Sequence, residues 1–317
     1  MVVHYGTNSE SRDRGMSEPE TKTGQTSLAA LYAEPFRVQR PARQTVPFVF
    51  ASPHSGSCYP ADFIAASRLT PLALRRSEDA FVDELFSGAP GLGAPLLSAR
   101  FPRAFLDVNR APDEIDAAMF DAPPKVAIDL PTSRVSAGLG VIPRIVRDGA
   151  EIYRSRLKAR EAEERLALLY RPYHAALGRL VDETRARFGV AVVIDCHSMP
   201  SQAAVPDVVL GDRYGASSTA LLTRHAEQAF QLQGFRVARN TPYAGGFTTI
   251  LHGRRDREVH ALQVEINRHL YLDEEHIVKK PRFSEIKARI DHALAALVAL
   301  SPELMVRARE QTRFAAE

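Results

Sequence analysis

The sequence predicts an α/β protein with a mixed, largely parallel sheet, on two observations. Apolar runs of strand length recur along the chain and alternate with stretches of helical period, the pattern of strands joined by helices. Three of these runs also carry polar chemistry at their ends. Residues 46–52 stop at Pro53-His54, residues 189–196 run into His197, and residues 261–267 hold Glu265 among apolar neighbours. In open α/β sheets, ligands bind beyond the carboxyl ends of strands, so a histidine there is held by a rigid element yet faces a cleft.

In chain order, residues 1–27 are rich in Ser, Thr, Glu and Gly without apolar periodicity and read as a disordered leader, leaving 28–317 as a single domain. Residues 28–45 read as a lead-in packed on the surface. After the first strand, residues 59–64 turn into a short helix. Ser77 then offers an N-cap to a helix over 77–86, with Phe81, Val82, Leu85 and Phe86 on its buried face. Glu78 and Asp79 fall in its first turn, where acids complement the helix dipole. The alternative is that Asp79 is a metal ligand at the helix start.

Residues 95–99 and 104–108 read as short strands, the second leading into Asn109-Arg110. Arg110 is either part of a structural ion pair or a guanidinium that grips a substrate carboxylate. Residues 113–149 are rich in Pro and Gly and read as functional loops. Residues 150–188 are helical in pattern with a break at Arg171-Pro172, and His174 reads as a packing or surface histidine. Beyond the His197 strand come a strand at 207–210, an amphipathic helix at 217–233 and a strand at 235–238. The glycine-rich loop at 241–249 lacks a phosphate-binding pattern. The Glu265 strand and a helix over 283–300 close the chain.

Bulk properties narrow the function. A chain of 317 residues buries an ample core without needing a disulfide or metal to fold. A net charge of +3 with dispersed basic residues argues against nucleic-acid or membrane-surface partners. Cys58 and Cys196, with no CxxC, indicate a reducing compartment and exclude a Cys-rich zinc site. Each lies beside a histidine-bearing strand end and reads as a packing residue. With no apolar run of membrane-spanning length and no signal-peptide pattern at the N-terminus, the expected location is cytoplasmic.

Two histidines and one carboxylate, with an open position for water, form a catalytic zinc arrangement. A further carboxylate off the metal can take the proton of the attacking water and hand it to a leaving amine. Glu265 suits that role, because a carboxylate on a buried strand demands a local reason. An ion pair with Arg268 is the other reason available. No compact HExxH is present, so spacing alone leaves the metal reading open.

Taken together, several motifs in order carry a resemblance. They are Pro53-His54-Ser55-Gly56, Glu78 to Leu85, Asp107-Val108-Asn109-Arg110, Asp195 to Pro200, Leu210 to Gly215, and Gln263 to Tyr271. Over roughly residues 45–300 the chain resembles the N-formylglutamate amidohydrolase family. The resemblance implies a three-layer α/β sandwich similar to zinc carboxypeptidases, and one Zn2+ per chain held by His54, Asp79 and His197. Asp79 is preferred over Glu78 because it aligns with the family's helix motif. Carboxypeptidases place their acid ligand three residues after the first histidine; here that position is Ser57, so the acid comes from farther along.

By the same resemblance, Glu265 activates the attacking water, and Arg110 with Asn109 holds the carboxylate of a small acidic substrate. Arg144 is a second candidate for substrate binding. The implied reaction cleaves N-formyl-L-glutamate to formate and glutamate, a step of histidine degradation. Its nearest rival is a zinc amidohydrolase or carboxypeptidase-like enzyme acting on another N-acyl amino acid or a peptide. A non-catalytic binding protein on the same fold is a rival of another class. A serine hydrolase built on Ser55 or Ser198 lacks the GxSxG elbow.

Overall fold

The computed structural model describes residues 27–126, 132–146, 149–201 and 206–301. The expected leader lies outside them except for Ser27, whose hydroxyl caps the first helix. Seven strands form one sheet: β1 (Phe36–Gln39), β2 (Phe48–Ser52), β3 (Leu96–Ala99), β4 (Ala191–Met199), β5 (Val208–Gly211), β6 (Val237–Arg239) and β7 (Val259–Asn267). Their order is β1-β3-β2-β4-β7-β5-β6. Strands β3, β2, β4 and β7 run parallel; β1 and the β5/β6 pair run against them. The sheet is therefore mixed and largely parallel, as expected. The carboxyl ends of β2, β4 and β7 share one edge.

Short helices α1 (Leu28–Ala33), α2 (Ala61–Ala66), α3 (Pro71–Arg75), α4 (Val82–Leu85) and α5 (Ser133–Ser136) punctuate the connections. Helices α6 (Ala159–Arg165) and α7 (Arg171–Phe188) lead into β4. Helices α8 (Ala220–Leu232), α9 (Phe247–His252) and α10 (Phe283–Val298) follow β5, β6 and β7. Period-two alternation decides the layering. Val192, Ile194 and Cys196 of β4 and Leu262, Val264 and Ile266 of β7 pack with α8 and α10. Ala191, Val193 and Ala261 pack on the other side with α7. On that second face the series continues towards the carboxyl edge as Asp195 and His197, beside Gln263 and Glu265. One face of two fully buried strands thus turns from apolar to ionisable within a few residues.

Three local expectations are corrected and a fourth is refined. The lead-in contributes β1, which pairs antiparallel with β3; Phe36 and Val38 alternate with Arg37 and Gln39, a pattern too short to stand out. Residues 104–108 are turns, because Phe105 and Leu106 donate their N–H groups to Pro102 and Asp107 donates to Val141 (2.8 Å). The helix expected from Ser77 starts at Val82, since Phe81 is left-handed (φ 63°) and the Asp79 N–H is held by the His54 carbonyl (3.0 Å). The expected break at Arg171-Pro172 is where α7 begins, with Pro172 in its first turn, and a π-helical stretch, Leu166–Tyr170, joins it to α6.

Candidate active site and metal centre

The shared edge of β2, β4 and β7 opens into a cavity of about 420 Å³ lined by His54, Asp79, His197, Glu265 and five arginines (76, 103, 110, 134 and 268). That volume suits a small ligand. His54 sits just past β2, and His197 lies within β4 opposite Glu265 of β7. Asp79 arrives from the turn before α4, fixed by its main-chain bond to His54. His54, Asp79 and His197 are all buried, and one ligand atom from each lies within 4.8 Å of the others. Asp79 Oδ2 is 2.9 Å from His197 Nδ1 and 3.4 Å from His54 Nδ1. The adjacent Glu78 turns away, accepting from Tyr59 (2.7 Å) and Arg75 (3.0 Å).

The far nitrogen of each histidine is held by a buried carboxylate. His54 Nε2 donates to Asp107 Oδ1 (2.7 Å), and His197 Nε2 lies 2.9 Å from Asp195 Oδ2 and 3.0 Å from the Asn109 amide nitrogen. This arrangement presents both Nδ1 atoms to Asp79, and such outer carboxylates are the usual means of orienting histidine ligands. His54 Nδ1 is buried without a hydrogen-bond partner among the described residues. A donor set of two imidazole nitrogens and one carboxylate, with one nitrogen orphaned, fits a divalent metal such as zinc.

Charge follows from the same contacts. Burial opposes ionisation of Asp79, but its bond to His197 and the closeness of the His54 ring outweigh it and hold the carboxyl well below the usual range. Burial would lower His197; the carboxylates of Asp195 and Asp79 instead push it well above an ordinary histidine. A metal cation competes with that proton for Nδ1. Glu265 moves the other way. Burial raises it to about 7; His197 opposes the rise and the Asp79 charge adds to it. Its Oε1 accepts from Gln263 (2.7 Å), whose own oxygen is held by the Gly246 N–H.

The other expected site residues divide. Arg110 lines the cavity, donating to the carbonyls of Leu139 (3.1 Å) and Asn109 (3.0 Å). Asn109 also lines it, with its amide engaged: Nδ2 donates to Asp195 (3.2 Å), and Oδ1 accepts from the Thr248 N–H (2.7 Å). Arg144 is not among the lining residues; it donates to Asp116 (3.2 Å) and faces a separate cavity with Glu151. Arg268 pairs with Asp79 (2.8 Å) rather than with Glu265.

Asp107, Asp195 and Arg103, which donates to Asp107 (3.0 Å), had no assigned role in the sequence reading. Asp195 stood two residues before His197, on the same strand face. That spacing was the available signal. Asp107 sits in a turn and offered none.

Comparison with known proteins agrees with this geometry. The family profile described as N-formylglutamate amidohydrolase matches residues 46–272. N-formylglutamate deformylase from Pseudomonas aeruginosa is 30% identical over 244 residues, covering 74% of this chain and 85% of that protein. The deformylase of Pseudomonas putida is 27% identical, covering 72% and 83%. The crystal structure of N-formylglutamate amidohydrolase from Ralstonia eutropha JMP134 superposes with a TM-score of 0.78 at 35% identity, over 86% of this chain and 99% of that one. The protein is thus a hydrolase of the class that acts on amides. It belongs to the N-formylglutamate amidohydrolase family.

Proposed function

We propose that this chain is a zinc-dependent deformylase that cleaves N-formyl-L-glutamate, or a similar N-acyl amino acid, to formate and the free amino acid. The observation that carries the reading is the buried His54–Asp79–His197 cluster facing Glu265 across one cavity. Zinc held by those three residues would supply Lewis acidity to the formyl carbonyl and to the attacking water. Glu265 takes the water proton and passes it to the departing amine. Burial favours its protonated form and neighbouring positive charge favours its carboxylate, so it is poised to do both near neutral pH. Asp107 and Asp195 keep the two imidazoles aimed. Arg110 holds the substrate carboxylate, and Asn109 braces Arg110 through its main-chain oxygen. Arg144 has no part in this scheme.

The deformylase names of the Pseudomonas proteins and of the Ralstonia structure support the substrate. On the same reading the enzyme serves histidine degradation in the cytoplasm. No described helix is long and apolar enough to cross a membrane, and Cys58 and Cys196 are free.

The deciding assay is formate release from N-formyl-L-glutamate by protein as purified, after chelation, and after zinc is restored. Activity lost and then regained is the expected result. Activity indifferent to chelation would overturn the metal reading. Zinc-loaded protein that ignores N-formylglutamate but cleaves another N-acyl amino acid would move the substrate assignment.

A further inference from the structure

The cavity carries more arginine than the proposed chemistry uses. Arg103 and Arg268 are tied to Asp107 and Asp79. Arg134, on α5 at the cavity mouth, is exposed and has no ion pair or hydrogen bond among the described residues. It stands close enough to Arg110 for its charge to disfavour the Arg110 cation, after the larger effect of burial. Two guanidinium groups held near each other invite an anion between or across them.

The spacing of these two arginines is built into the fold. Glu114 is buried, and its two carboxylate oxygens reach both segments: Oε2 accepts from the Ala111 N–H beside Arg110 (3.1 Å), and Oε1 from the Thr132 hydroxyl (3.0 Å). Thr132 in turn caps α5, accepting from the Val135 N–H (3.3 Å). The Glu114 carbonyl also receives the Val141 N–H (2.8 Å). It passes so near Gly140 that a Cβ there would meet it at 2.4 Å. Arg76, the other exposed arginine of the cavity, lies instead beside the Asp79–Arg268 pair.

Resting on the reading of an acidic N-acyl amino acid as substrate, we propose that Arg134 is the specificity residue for a second, distal carboxylate. Arg110 and Arg134 then form a clamp for a short diacid, with Arg110 on the carboxylate nearer the amide. Glutamine analogues fill the same space but leave Arg134 without its anion.

The test is calorimetric binding of N-acetyl-L-glutamate and N-acetyl-L-glutamine to wild type, Arg134→Gln, Arg134→Lys and Arg76→Gln. Wild type should prefer the glutamate analogue. Arg134→Gln should weaken that analogue roughly 10- to 100-fold, the scale of one charge-assisted hydrogen bond, and leave the glutamine analogue unmoved. Arg134→Lys should restore part of the preference. No preference in wild type, an equal loss for both analogues, or the effect appearing in Arg76→Gln instead would each overturn the clamp. Binding needs no turnover, so a protein that holds the diacid selectively yet cleaves no N-formyl substrate would sink the proposed reaction and spare the clamp.

Discussion

Two pairs of histidines sit close together in this molecule, in opposite electrostatic surroundings. His54 and His197 each have a carboxylate on Nε2 and share a third, Asp79, at Nδ1. His174 and His252 stack with ring centroids 5.9 Å apart, and the nearest help is a carbonyl, Val108, on His174 Nε2. Burial takes each of this second pair down to about 4, against the Val108 carbonyl on His174 and the charge of Asp195, while His197 is driven well above the ordinary value. Burial is common to both pairs, so placed carboxylates make the difference. A buried histidine in the position of His197 holds a cation, a proton or a metal; one without carboxylates stays neutral and packs.

The largest break of this contrast comes from the one acid of the site that approaches the histidines without clasping them. Glu265→Gln should cut kcat by about 10²–10⁴-fold, the range for a lost general acid–base, while zinc content by atomic absorption stays at wild type. Loss of zinc from that variant would make Glu265 a ligand. Next come the carboxylates behind the two proposed histidine ligands. Asp195→Asn and Asp107→Asn should each weaken zinc affinity by about 10–100-fold in a chelator competition, and unchanged affinity in both would refute their positioning role.

The smallest effect concerns the neutral pair and shows as stability against pH. An unfolded histidine titrates near 6.5, whereas the folded values are about 4. Between those limits the unfolded chain binds protons that the fold refuses, so stability falls as pH drops through the window. Denaturant midpoints at pH 7 and pH 4.5 should therefore draw closer together in His252→Phe than in wild type. The difference should be of order 1–3 kcal/mol. Equal acid sensitivity in the two proteins would show that His252 is not held neutral.

Much of the site was legible from strand logic. His54 follows an apolar run, His197 and Glu265 interrupt apolar runs, and all three meet at the edge where parallel strands end. Asp195 was legible in principle, because alternation puts it on the face of His197. Other features could not be read. Residues 104–108 have strand-like composition, yet their N–H groups are claimed by Pro102 and Val141, far apart in sequence from each other. The helix predicted from Ser77 obeyed capping rules but lost to long-range demands: the His54 carbonyl takes the Asp79 N–H, and Arg75 takes the Glu78 side chain. The Arg268–Glu265 pairing, attractive from closeness along the chain, gave way to Asp79.

By itself, the sequence determined the central strands of the sheet, its two apolar faces and the points where polar residues break into them, because period-two patterning acts between residues a few positions apart. Only the tertiary structure decided which acid serves which base. Asp79 rather than Glu78 meets the histidines, Asp107 reaches His54 across 53 residues, and Arg268 reaches Asp79 across 189. These choices turn on ångström-scale approach between side chains brought together from distant segments, where electrostatic energy is steep and local sequence carries no signal.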